Sequence, residues 1–205
     1  MLTSNMKRRG FARTLQYSLV ALVLTNAGAS RALAQDDHAH AQNAQQQEQS
    51  HHPQNSSGAL LTAVRDATEK YKDVKVAEAA GYHLQFGCVT GSDSGAMGLH
   101  YVNGDLVNSG VIDVTRPQIV IYEPTPDGGL RLIGADFLVI ADTWNKTHMA
   151  PPELMGQLFH LFDAPNRFGL PAFYTLHVWA WKDNPNGAFV NWHPNVSCAT
   201  YASSK

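Results

Sequence analysis

The chain has 205 residues and carries 15 lysines and arginines against 17 acidic residues, a formal charge of −2. Residues 1–34 hold five of those bases and no acid, so the remainder sets ten bases against seventeen acids, a formal −7. A chain this acidic lacks the basic face that nucleic-acid phosphates or an anionic membrane require, so neither is an expected partner.

Lys7, Arg8 and Arg9 open a basic segment, and a mostly apolar run follows over residues 15–29. Ala32-Leu33-Ala34 then fits the small-residue rule for signal peptidase. Basic start, short apolar run and A-x-A site in that order predict a signal peptide over residues 1–34, cleaved before Gln35. The apolar run is shorter than the roughly 20 residues a membrane-spanning helix needs, and no later stretch reaches that length. The expected location is periplasmic or secreted, with no membrane insertion after cleavage. Arg8-Arg9-Gly10-Phe11 fits a twin-arginine export motif as well as it fits an ordinary secretory signal, so the export route stays open.

Residues 35–57 are rich in Gln, Asn, His and Ser and show no apolar periodicity. Such a segment buries too little surface to offset its chain entropy and reads as a disordered leader. Its His38, His40, His51 and His52 either collect copper, zinc or nickel loosely or simply solvate a spacer.

Residues 58–205 read as one globular domain. Leu60, Val64, Ala67, Tyr71 and Val74 recur at steps of four and three, which predicts helix over 59–80. Asp73 suits a cap that breaks this helix, and Gly81 suits its end. Beyond Gly81 the pattern changes to strand, at 82–89, 97–103, 118–123 and 130–140. Pro124-Thr125-Pro126-Asp127-Gly128-Gly129 joins the last two as an antiparallel hairpin. Leu154, Met155, Leu158, Leu161 and Phe162 predict a short amphipathic helix over 152–162, with Pro152 near its first turn. The aromatic-rich stretch 174–181 reads as a further strand. After a turn at Asn184-Pro185-Asn186-Gly187, residues 189–192 read as another. The expected fold is α+β: a mainly antiparallel sheet, open or barrel-like, with an N-terminal helix and one inserted short helix. Strands and helices do not alternate as a parallel doubly wound sheet demands.

Cys88 and Cys198 are the only cysteines. An even count in an oxidising compartment predicts a disulfide between them, the alternative being a reactive thiol or a metal ligand.

Strand parity singles out the residues that can carry chemistry, because alternate side chains face opposite sides. Asp136 shares a face with Leu132 and Leu138, and Glu123 with Ile119 and Ile121. Buried carboxylates need a cation, a donor or a proton. His177 shares its face with Trp179 and Trp181, and His100 lies on another strand. His100, Glu123, Asp136 and His177 are therefore candidate ligands of one divalent metal ion, since imidazole and carboxylate suit zinc, iron, manganese or copper. The alternative is a pair of core histidines hydrogen-bonded to carboxylates without metal. Tyr101, Trp179 and Trp181 are candidates to line an apolar ligand pocket, or else are plain core. Neither a G-x-S-x-G elbow nor a phosphate-binding glycine loop is present.

Four segments, Gly95-Ala96-Met97-Gly98-Leu99-His100-Tyr101-Val102-Asn103, Tyr122-Glu123-Pro124, Leu176-His177-Val178-Trp179-Ala180-Trp181-Lys182-Asp183-Asn184-Pro185 and Trp192-His193-Pro194-Asn195-Val196-Ser197-Cys198, carry a family resemblance. Together they resemble a group of exported bacterial single-domain proteins of unknown function, over about residues 60–200. In that group the position of Asp136 is often Glu, which keeps the carboxylate. The position of His193 is often Asn, which argues against an essential role there. The resemblance implies export and a single domain, and it transfers no activity.

Three functions follow as expectations. The first is an exported domain with a mononuclear metal site, working as a metal-dependent enzyme on a small molecule. The second is a non-enzymatic periplasmic binding module for a small apolar or aromatic ligand. The third is a structural envelope protein with a buried histidine and carboxylate network.

Overall fold

The computed structural model describes residues 53–91 and 93–203, with side chains across 57–91 and 93–201. The expected signal peptide and residues 35–52 of the expected leader lie outside the described residues. The domain opens with helix α1 (Pro53–Thr68), a 3-10 turn (Glu69–Lys72) and helix α2 (Val74–Ala79). Proline at the first helical position is pre-organised for helix, so α1 begins ahead of the expected 59 and takes in 53–57, the end of the expected disordered leader. The expected break falls at Asp73, whose side chain accepts a hydrogen bond from the Lys75 amide and caps α2.

Strands β1 (Tyr82–Thr90) and β2 (Ala96–Asn103) follow, then helix α3 (Gly104–Ser109) and the hairpin β3 (Ile119–Pro124) and β4 (Leu130–Ile140). Beyond helix α4 (Ala141–Asn145) come the short strands β5 (Glu153–Leu154), β6 (Gln157–Leu158) and β7 (His160–Phe162). Strand β8 (Phe173–Val178) and helix α5 (Ala199–Ser203) follow. Six strands form one antiparallel sheet in the order β1-β2-β3-β4-β8-β7, with β1 and β7 as free edges, so it is open and the barrel-like alternative does not hold.

The inserted helix expected over 152–162 is replaced by strands. Met155 and Gly156 have φ of 50° and 85° and form the two-residue turn between β5 and β6, closed by the pairing of Leu154 with Gln157. Two successive positive φ values are the signature of a tight hairpin turn, and glycine favours that conformation over helix. Leu158 and Leu161 accordingly point outward, 64% and 50% exposed. No strand forms at 189–192 either, and only an isolated bridge joins His193 to Ala96.

Both faces of the sheet are covered. On one, Leu60 and Val64 of α1 pack with Phe137, Val139, Leu176 and Val178, while Tyr71 and Ala77 pack with Tyr101, Val120 and Tyr122. The Tyr122 hydroxyl donates to the Tyr71 carbonyl at 2.6 Å and pins the 3-10 turn to the sheet. On the other face, Ile119, Ile121, Ile133, Phe173 and Trp179 pack with Val196 and Cys198 of the C-terminal segment.

The expected disulfide joins Cys88 on β1 to Cys198, across 110 residues, with Cα atoms 5.7 Å apart. It holds the C-terminal segment on the sheet. Closing a loop of that length constrains the unfolded chain by about 4–5 kcal/mol. Replacing both cysteines by serine should lower the melting temperature by on the order of 10 °C. Calorimetry of the variant beside the oxidised parent checks this, and equal melting temperatures would show that packing alone seats the C-terminal segment.

Candidate metal centre

His100 on β2, Asp136 on β4 and His177 on β8 face the side covered by the C-terminal segment. The register makes this unavoidable: His100 pairs with Ile121, Ile119 with Asp136, and Asp136 with His177. Directly paired residues on antiparallel strands share a face. In a flat sheet the three interstrand steps from β2 to β8 would separate the histidines by about 14 Å. Their ring centroids are 6.1 Å apart, so the two rings lean toward each other across the intervening strands. One donor atom from each of the three residues lies within 4.8 Å of the others. Ligands sharing an ion at about 2.1 Å lie roughly 3.4 Å apart, so a small rotation of side chains closes the set.

The three groups are buried and under-satisfied. Asp136 accepts from the Thr175 hydroxyl at 2.5 Å. Burial pushes its carboxyl up to about 7, against the opposing pull of that hydroxyl and of the Phe137 and Leu176 amides. Nδ1 of His100 lies 3.2 Å from the Gly98 carbonyl. A carbonyl only accepts, so Nδ1 carries the proton and Nε2 keeps its lone pair. Burial lowers His100 to about 4, which keeps it neutral at pH 7. His177 is fully buried, and neither Nδ1 nor Nε2 has a hydrogen-bond partner. Its Nδ1 lies 3.9 Å from Asp136 Oδ2, beyond hydrogen-bond reach. Burial, then the neighbouring His100 and His193, hold His177 well below its usual value.

Gly98 lets β2 sit this close to β3. Its φ is +93°, and a Cβ there would lie 2.6 Å from the Tyr122 carbonyl oxygen. Any side chain would move the strand that carries His100 and the carbonyl that orients it.

Glu123, expected as a fourth ligand, lies elsewhere. It stands four residues along β3 from Ile119, the partner of Asp136, and so about 13 Å away. Its carboxylate accepts from Arg131 Nη2 at 2.5 Å and from Lys182 Nζ at 2.7 Å. The face assignment of Leu132 also changes. Gly134 pairs with Ile121 but Leu132 with Tyr122, so Ile133 is a bulge and Leu132 turns to the helix-covered face.

The expected pocket of Tyr101, Trp179 and Trp181 does not assemble. Trp179 packs against His177 with centroids 4.3 Å apart. Tyr101 neighbours His100 on its strand and therefore faces the opposite side, against Tyr122. Trp181 is on that side too, donating its indole N–H to Thr68 Oγ1 at 2.9 Å. Strand β8 ends at Val178, where the Ala180 amide turns back to its carbonyl and alternation lapses. The space beside His100 and Asp136 is lined instead by Phe86, Phe162, Phe168, Leu170 and Phe173. Phe162 is carried there by β7, within the segment expected to be helix. His193 is structural: Nδ1 accepts from the Asn195 amide and Nε2 donates to the Asp183 carbonyl.

No known relative was found. Neither a family model, nor a curated protein, nor a solved structure matches this chain. The site's own chemistry is what remains: two neutral imidazoles and one carboxylate, buried and convergent, can hold a metal ion.

Away from that site, burial pulls Glu123 up, but hydrogen bonds and charge from Arg131 and Lys182 outweigh it and hold the group below the usual carboxylate range. A depressed folded value stabilises above the unfolded pKa, and that stability is lost as pH falls through the folded one. Arg131 is largely exposed, so the contribution is about 1 kcal/mol at neutral pH. Glu123→Gln should therefore reduce stability at pH 7 yet lose less than the parent between about pH 5 and pH 3. Urea midpoints at the two pH values measure it; a constant difference would contradict the assignment.

Proposed function

We propose that this protein is an exported domain whose His100, Asp136 and His177 bind one divalent metal ion, and that the ion activates a small molecule. The observation that carries the reading is the fully buried His177 ring with both nitrogens unpartnered. An unmet buried polar atom costs roughly 1–3 kcal/mol, and a metal bond to one nitrogen removes the larger part of that cost. Asp136 supports it, as a buried carboxylate with a hydroxyl and backbone amides around it and no cation among the described residues. Two histidines and one carboxylate leave coordination positions open, which suits zinc, iron, manganese or copper acting on a bound water or ligand.

Export rests on the sequence of residues 1–34 and on the resemblance to exported bacterial proteins. The Cys88–Cys198 bridge supports it, because disulfides persist in oxidising compartments. Among the described residues no helix is long and apolar enough to cross a membrane. A twin-arginine signal, if that is the route used, would carry the domain out already folded and metallated.

Elemental analysis of the protein purified without chelator should find about one metal per chain. His177→Ala and Asp136→Asn should lose it while staying folded, and Glu123→Gln should retain it. At a hundredfold excess over the dissociation constant the ion should add about 2.7 kcal/mol, a rise in melting temperature of several degrees. A folded parent protein with no metal and no stabilisation by added zinc, manganese, iron or copper would overturn the reading and leave a buried polar network in its place.

A further inference from the structure

Resting on that metal reading, we propose that the open coordination positions face a pocket for a small molecule with an apolar body that presents a single oxygen donor to the ion. A space of about 30 Å³, room for a donor group and little more, adjoins the ligands. Its polar lining consists of His100, Asp136 and Thr175, each no more than 6% exposed. Phe86, at the opposite extreme, is 51% exposed and marks the mouth. A polar inner end and an apolar approach select a molecule with one donor and an apolar body.

Aromatic side chains dominate that approach. Phe162 and Phe173 stack in parallel with centroids 5.1 Å apart, and Phe168 meets both edge-on at 6.5 and 6.2 Å. Phe86 closes the group at 5.5 Å from Phe168. Packed on one another around the narrow inner space, the four phenyl rings make its surroundings apolar and leave room for a donor group only. No lysine or arginine lines the cavity, so the guest gains nothing there from a second, anionic group. A wider apolar space of about 340 Å³ shares Phe86, Ile119, Leu138 and Leu170 with it, is of the size of ordinary small-molecule sites, and takes the body of the guest.

The backbone at Phe86 points the same way. Its φ is +64°, inside the bulge between Gln85 and Cys88. Left-handed backbone is costly for a bulky residue and persists where surrounding structure imposes it, commonly at ligand sites. Here the bulge turns a phenyl ring over the pocket, and the disulfide at Cys88 anchors the strand immediately beyond. Glycine suits this conformation better than phenylalanine, which separates the ring's role in binding from any role in stability.

The test is calorimetric titration of the mature protein, zinc-loaded and chelator-treated, with 4-ethylphenol and with ethylbenzene. Zinc-loaded protein should bind 4-ethylphenol at least tenfold tighter than metal-free protein, while ethylbenzene binds both forms alike. Phe86→Gly should keep full zinc content and a melting temperature within a few degrees of the parent, yet weaken both compounds at least fivefold. Zinc-loaded protein that binds neither compound overturns the pocket proposal and leaves the metal site standing. Equal affinities in Phe86→Gly and the parent overturn it as well. A chain that does not retain zinc overturns the metal reading and the oxygen-donor half together, and ethylbenzene binding then decides the apolar half.

Discussion

Because both faces of the central sheet are covered, β8 buries every side chain from Phe173 to Val178. A polar residue on such a strand has to find its partners inside the protein. Thr175 does so, donating to Asp136. His177 does not, and its two idle nitrogens sit beside a carboxylate and a second histidine. The arrangement depends on cover from both sides: helix α1 and the 3-10 turn close one face, and the disulfide-tethered C-terminal segment closes the other. Opening either face would let water satisfy His177 and would remove the low-polarity surroundings that keep both histidines neutral.

Three local departures from regular strand shape this face. Gly98 allows the close approach of β2 to β3 and supplies the carbonyl that orients His100. The Ile133 bulge in β4 reverses parity, so Ile133 joins the core on the histidine side while Leu132 leaves it. The bulge in β1 turns Phe86 toward the cavity. Bulges re-aim side chains and bend strands. On a sheet with two of them, side chains whose strands are three steps apart converge.

Much of this was legible in the sequence, for reasons that particular residues make plain. Period-two alternation locates β1 to β4, and the start of β8, to within a residue, and parity puts Asp136 and His177 on apolar faces while His100 is assigned only to another strand. Parity carries no distance information along a strand, so it admitted Glu123, which has the right face and stands about 13 Å from Asp136. It also fails where a strand stops, which is why Trp181 was expected beside His177 and lies on the other side. The segment 152–162 has helical apolar spacing, and the signal against helix was Gly156 alone. The helical spacing there masks β7 and with it Phe162, so the sequence does not announce the phenyl rings beside the site. Phe86 was hidden for a different reason: nothing in Gln85-Phe86-Gly87 announces a bulge except the glycine beside it.

The two buried carboxylates show how the same chemistry is resolved in opposite ways. Glu123 lies near the end of β3, where Arg131 and Lys182 reach it from the rim with their stems partly in water. Its charge is matched, and it stays ionised at a depressed value. Asp136 lies at the middle of β4, flanked by β3 and β8, where a long basic side chain would have to displace packed phenyl and isoleucyl groups to arrive. Only a small cation fits there, or else a proton. A carboxyl raised to about 7 is close to the point at which either choice prevails. On the proposed metal reading the two lone-pair-bearing histidines tip the balance, because a proton on Asp136 satisfies one oxygen and leaves His177 with at least one nitrogen idle, whereas a divalent ion would engage all three groups at once.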